Sequence, residues 1–320
     1  MNTQIKLAII AIAIVIPLAS LAITQPNLSS EISTTENSKL QVVASATFLY
    51  EFSQNIGKEM IDVTLLVPMG ADPHDWEPTI RDTERLQKAD MIIVNGIGYE
   101  HWLNSLELSD IAGILVDTSN GISTLDSANH DEEKHDDHAK EDGHDDEDNH
   151  NHGVLDPHIW LNPVFAQLQV KNIANALSNS DPTNKNYYQS NAAIYNQKLN
   201  LLDTKIRTEL SGCKTDFITF HDAFSYFSEE YGLTQHTIIS STDSHGDVTP
   251  KTLEHIISLA RELNIKVIFA EENTSTKTSQ VIADEIGGKV LVLSPLEIVS
   301  DETYVEKMTQ NLESLKDALC

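Results

Sequence analysis

Basic charge is what this 320-residue chain lacks most: 21 lysines and arginines stand against 49 aspartates and glutamates, a formal net charge of −28. A phosphate backbone needs a basic face, so nucleic acid is excluded as a partner, whereas cations are favoured. Cysteine is almost absent, with only Cys213 and Cys320. Two cysteines suit an oxidising compartment. If bridged, they close a loop of about 100 residues, for which chain entropy gives roughly 4–5 kcal/mol; otherwise they are two structural thiols. No H-E-x-x-H helix is present, which removes the commonest zinc-hydrolase pattern. Long apolar runs are missing everywhere except Leu7–Ile23, which follows Lys6 and ends near the small residues Ser20 and Ala22. Residues 1–23 therefore read as a signal peptide or an N-terminal membrane anchor, and either places the rest outside the cytoplasm. No cysteine lies nearby to take a lipid.

Residues 24–38 are polar and rich in Ser and Thr, a linker. From Leu40 onward, short β-branched runs (LQVVASA, DVTLLVP, DMIIVNG, GILVD) alternate with amphipathic stretches (LYEFSQNIG, TIRDTERLQKA, EHWLNSLEL). Alternation of this kind predicts a parallel sheet flanked by helices. Thr118 to Leu155 carries no periodicity, and helical character resumes at Pro163. Asp181-Pro182 then opens one long helix, with Tyr188, Ala192, Tyr195, Leu199, Leu202 and Ile206 on a single narrow seam. It is expected to span on the order of 40 Å. After Gly212 the strand–helix alternation returns through DFITF, HTIIS, KVIFA and KVLVL. The expected fold is α/β: two parallel-sheet lobes, 39–180 and 212–320, joined by a rigid helix over 181–211.

Three of the thirteen histidines stand apart by context. His74 lies in GADPHDWEP just past a strand, His221 lies in TFHDAFSYF at the end of another, and His158 lies in DPHIWLNP before a helix. Ligands of parallel α/β sheets bind beyond the carboxyl ends of strands. The matched DPHDW and DPHIW segments put each histidine after a stiffening proline and two residues before a tryptophan that walls off water. Rigid imidazoles in a low-water pocket make a metal site, and Asp72, Asp75, Asp156 and Asp222 are candidates to orient them.

GADPHDWEP, NGIGYEHWL, DPHIWLNP, TFHDAFSYF and FAEENTSTK occur in this order, and together they resemble the zinc/manganese solute-binding proteins of ABC transporters, the cluster A-I or ZnuA/TroA-like group. The resemblance runs from about Leu40 to Leu319. It implies two α/β lobes with one metal in the cleft between them, held by His74, His158 and His221. It also implies a carboxylate from the last strand's loop. Many relatives have Asp there, where this chain has Ser294, and Glu297 three residues on is the expected substitute, with Glu271 or a water as rivals. Three imidazoles and a carboxylate favour Zn²⁺ over Mn²⁺, which prefers more oxygen donors. The implied function is extracytoplasmic capture of Zn²⁺ and its delivery to an ABC permease by a monomeric protein that is not an enzyme. The alternatives are a manganese carrier, a zinc-dependent adhesion protein or a zinc hydrolase.

The stretch from His130 to His152 has six histidines among eleven carboxylates and two lysines. It has no apolar anchor and no regular ligand spacing, so it is expected to be an unstructured loop. His130, His135, His138, His144, His150 and His152 are read as weak, accessory capture groups.

Overall fold

The structure is a computed structural model, and it describes residues 39–68, 71, 73, 75–106, 111–125, 155–239, 248–272 and 276–320. The N-terminal segment 1–38, His74, Asp72 and the tract from His130 to His152 lie outside the described residues. Among the described residues, no helix is long and apolar enough to cross a membrane.

The first lobe comprises β1 (Leu40–Ala44), α1 (Thr47–Gly57), β2 (Ile61–Leu65), α2 (Ile80–Lys88), β3 (Met91–Val94), β4 (Ile114–Asp117) and α3 (Pro163–Ser180). Its strands are all parallel in the order β2-β1-β3-β4. Burial on both faces accounts for the unbroken apolar runs at the sheet centre. Val42, Ala44, Met91 and Ile93 turn inward to the main core, while Val43, Ile92 and Val94 pack outward with Leu86 and Trp102. The second lobe repeats the plan with β5 (Asp216–Thr219), α5 (Ser225–Tyr231), β6 (Thr234–Thr237), α6 (Pro250–Glu262), β7 (Val267–Ala270), α7 (Lys277–Ile286), β8 (Lys289–Val292) and α8 (Tyr304–Leu319). Its order is β6-β5-β7-β8, again parallel. Phe217, Val267 and Phe269 face the main core; Ile218 and Ile268 face the outer layer with Ile256, Ala260 and Ile282.

In both sheets the winding reverses beside the first strand. The switch points therefore lie between the ends of β1 and β3 and between the ends of β5 and β7, where ligands of such sheets bind.

Helix α4 (Lys185–Glu209) runs between the lobes in sequence and packs against α1, α3 and α8. The seam read from the sequence is its buried face, with Asn191 added, whose side-chain amide donates to the Ile56 carbonyl at 3.0 Å. Its first turn differs from expectation: Pro182–Asn184 is a 3₁₀ turn, because Asp181 binds the backbone and side chain of Asn184 and the Tyr188 hydroxyl. Tyr195 on α4 donates to Glu51 of α1 at 2.7 Å, and the other Glu51 oxygen accepts the Tyr304 backbone N–H at the start of α8 at 2.6 Å. One apolar core continues from β1 through Trp160 and α4 to Phe217, Phe269, Leu293 and Leu312, so the lobes share their interior.

Two other expectations are corrected. In place of the α-helix expected over Glu100–Leu108, the described part, Glu100–Leu106, carries a 3₁₀ helix over His101–Ser105. The reason lies upstream, where Gly96, Ile97 and Gly98 all adopt positive φ and the Glu100 carboxylate turns back to cap that bend. A Cβ at Gly96 would sit 2.2 Å from Asp117 Oδ1, so the bend requires glycine there. The HTIIS strand is shifted: β6 ends at Thr237, although the N–H groups of Ile238 and Ile239 still donate to Thr219 and Phe220.

Cys213 and Cys320 form a disulfide, with Cα atoms 4.7 Å apart and a sequence separation of 107. It ties the end of α8 to the entry of β5, beside the Lys214 N–H to Leu319 carbonyl bond. Replacing both cysteines by serine should lower stability by roughly 2–5 kcal/mol. Urea unfolding of the metal-free protein measures this; an unchanged midpoint would show that the cross-link does not constrain the unfolded chain.

Candidate metal centre

His221 lies two residues past β5, at the switch point of the second sheet. Its backbone N–H and its Nδ1 both bond Glu271 Oε1, at 3.1 and 2.5 Å, and Glu271 directly follows β7. The Thr219 hydroxyl and the Gln235 amide both donate to the His221 carbonyl, fixing the backbone. His158 repeats this arrangement: its N–H and its Nδ1 both bond Asp156 Oδ1, at 2.9 and 2.7 Å. A carboxylate can only accept, so each imidazole carries its proton on Nδ1 and turns Nε2 the other way.

The two Nε2 atoms lie 3.4 Å apart, and Glu297 Oε1 lies 3.3 Å from that of His158. His158, His221 and Glu297 are buried, and one donor atom from each falls within 4.8 Å of the others. Trp160 closes the floor, its ring 5.0 Å from that of His158 and stacked on Phe48 at 4.4 Å. The loop carrying Glu297 is pinned from both lobes. Trp160 Nε1 donates to the Pro295 carbonyl at 2.8 Å and Thr47 to the Leu296 carbonyl at 2.9 Å. Asn311 takes both the N–H and the carbonyl of Ser294, and the Ser294 hydroxyl accepts the Leu296 N–H. Leu296 is held at a φ of 62°, a strained conformation for a non-glycine residue.

Two imidazole Nε2 atoms and a carboxylate oxygen converging in a buried space form a pocket for a cation. In the empty protein a proton takes that place. Burial pulls the His158 imidazole down, but Asp156 at Nδ1 and Glu297 near Nε2 outweigh it and carry it up to about 10.

The geometry brings together three of the four expected residues; His74 is the fourth, outside the described residues. Glu271, the rival to Glu297, is engaged at the far side of the His221 ring from Nε2. Asp156 orients His158 as expected, and Asp222 accepts the Ser225 hydroxyl at the start of α5. Sequence reasoning missed Glu100 and Tyr226. Glu100 fills the first sheet's switch point, accepting Ser45 Oγ and the N–H groups of Asn95 and Gly96, and burial pushes its carboxyl up to about 7. A lone acid directly after the uncharged NGIGY run was the available signal. The Tyr226 hydroxyl, from the second lobe, donates to the Asp156 carbonyl and accepts the Leu125 N–H.

Two doubly wound lobes with a buried pocket where their loops meet define a two-lobed α/β binding protein. The chain belongs to the family of the periplasmic zinc-uptake complex component A, whose family model matches residues 42–318. It is 42% identical over 290 residues to the high-affinity zinc uptake system protein ZnuA of Bacillus subtilis, covering 88% of each chain. It is 32% identical over 287 residues to the zinc-binding protein AdcA of Streptococcus pyogenes, covering 87% of this chain and 56% of that one. The chain thus spans little more than half the length of its streptococcal relative. Among solved structures, the metal-dependent lipoprotein YcdH of Bacillus subtilis superposes with a TM-score of 0.72 at 37% identity, covering 88% of this chain and 99% of the other.

A divalent cation entering the pocket must displace the proton on His158. Because that imidazole is raised, the empty site stays protonated through neutral pH and the proton competes with metal. Apparent affinity should therefore rise with pH, by up to roughly tenfold per unit for one displaced proton. Calorimetric titration from pH 6 to 8 in buffers of different ionisation heat should give about one proton released per ion. Zero release with a pH-independent affinity would contradict the arrangement.

Proposed function

We propose that this protein captures Zn²⁺ outside the cytoplasm and hands it to an ABC permease, with His74, His158, His221 and Glu297 as its ligands. The observation that carries this reading is the convergence of the His158, His221 and Glu297 donor atoms at 3.3 and 3.4 Å. Tetrahedral zinc with bonds near 2.0–2.1 Å has ligand–ligand edges of about 3.3–3.4 Å. The spacing of the pocket thus fits the ion with little rearrangement. The zinc names borne by the Bacillus and Streptococcus relatives support the same cargo.

Nitrogen-rich ligation favours zinc over manganese, the second cargo of the wider class. The protein is proposed to act as a monomer, with lobes 39–180 and 212–320 braced by 181–211, and to catalyse no reaction. A hydrolytic zinc needs an open coordination position, and four protein ligands leave none. The histidines between His130 and His152 are assigned weak capture of ions that then pass to the pocket. Because one apolar core runs through both lobes, the metal-free carrier should remain folded, unlike a protein whose metal is structural.

Zinc titration with a competing chelator tests this on the wild type, on single alanine variants of His74, His158, His221 and Glu297, and on a deletion of 130–152. Each histidine variant should lose at least about 100-fold in affinity, as expected when a ligand is removed from a site where even supporting contacts are worth 10–100-fold. The deletion should keep the tight site. Loss of tight binding in the deletion alone would move the site to the tract and end this reading.

A further inference from the structure

We infer that Lys307 is a positioning residue for the metal pocket, holding from behind the two loops that carry Glu271 and Glu297; this rests on Glu297 being a ligand. Lys307 lies in the first turns of α8 and is only 5% exposed. Its Nζ donates to Glu272 Oε2 at 2.9 Å and to the Ile298 carbonyl at 3.3 Å. These partners are the immediate neighbours of Glu271, which orients His221, and of Glu297, which faces His158.

The two loops leave adjacent strands, β7 and β8, at their carboxyl ends. In each loop one residue serves the pocket and the next one faces Lys307. A single ammonium thus ties together two strand ends that would otherwise adjust independently. One helical turn further along α8, Asn311 grips Ser294, where the Glu297 loop begins. Lys307 and Asn311 are spaced i, i+4 and share a helix face. That face clamps the segment 294–298 at both ends. The helix start is itself fixed by a reciprocal cap between Thr303 and Glu306.

Stability alone is a poor reason for this lysine. Burying an ammonium costs several kcal/mol, and apolar replacements of buried ion pairs are often neutral or stabilising. Placement of the groups on either side of it is what the pair achieves. Without the tie, the Glu297 carboxylate loses its fixed approach to the His158–His221 pair, and metal binding must order the loop at its own expense.

The test compares Lys307→Met, which keeps an unbranched apolar stem, Glu272→Gln, and Glu297→Gln as calibrator. Zinc affinity, the visible absorption of the Co²⁺-loaded protein and melting of the metal-free protein are measured on each. Lys307→Met should weaken zinc about 10–100-fold, keep a cooperative melt, and shift the Co²⁺ spectrum toward that of Glu297→Gln. Glu272→Gln should move both readouts in the same direction by less. Unchanged affinity and spectrum in folded Lys307→Met, while Glu297→Gln changes both, overturns the inference. If Lys307→Met fails to fold, unchanged readouts in Glu272→Gln overturn it alone. A Glu297→Gln spectrum identical to wild type removes Glu297 from the site, and the inference with it.

Discussion

A carboxylate oxygen accepting two bonds from one histidine, backbone N–H and Nδ1–H together, is the contact on which the pocket depends. It occurs twice, Asp156 with His158 and Glu271 with His221. Each instance locks the ring tautomer and the ring direction in one stroke. The result is a pair of Nε2 atoms aimed at each other in a buried space, the place for which a proton and a metal ion compete. Loosely held side chains would rotate apart. The frame therefore has to be stiff before the ion arrives, and its stiffness is what distinguishes the site from any chance cluster of acids and histidines.

Stiffness is supplied at several scales. Locally, Trp160 serves both sides: its indole donates to the Pro295 carbonyl in the Glu297 loop, and its ring fills the floor beneath His158. Across the molecule, Glu51 joins α1, α4 and α8, and the Tyr304 hydroxyl donates to the Trp160 carbonyl. A shared apolar interior completes the brace. Large hinge opening would have to expose that interior, so metal exchange must proceed through small loop movements near the pocket rather than wide separation of the lobes.

Much of this was legible in the chain. Periodicity placed the strands and the long seam of α4 because those elements bury what their pattern exposes. His158 and His221 were visible because each follows a strand or precedes a helix in a short motif with an aspartate close by. What could not be read were contacts between residues far apart in sequence. Nothing in FAEEN says that its first glutamate reaches a histidine 50 residues away while its second turns to α8. Glu100 was hidden for a related reason: its role is to satisfy N–H groups in a bend whose positive φ angles are not encoded by any pattern of hydropathy. The same bend broke the helix expected there.

The clasp made by Tyr226 bears on the acidic histidine tract. Leu125 and Asp156 bond to each other and to the same tyrosine hydroxyl, so the described chain on either side of the tract meets at one spot, two residues from His158. On the role proposed for the tract, an ion held there would be tethered to the same chain that carries the pocket. Tethering of this kind sets effective concentrations on the order of millimolar, whatever the bulk level. On the capture role proposed for the tract, refilling the pocket would be an intramolecular transfer, with the tract itself still loading from the surroundings.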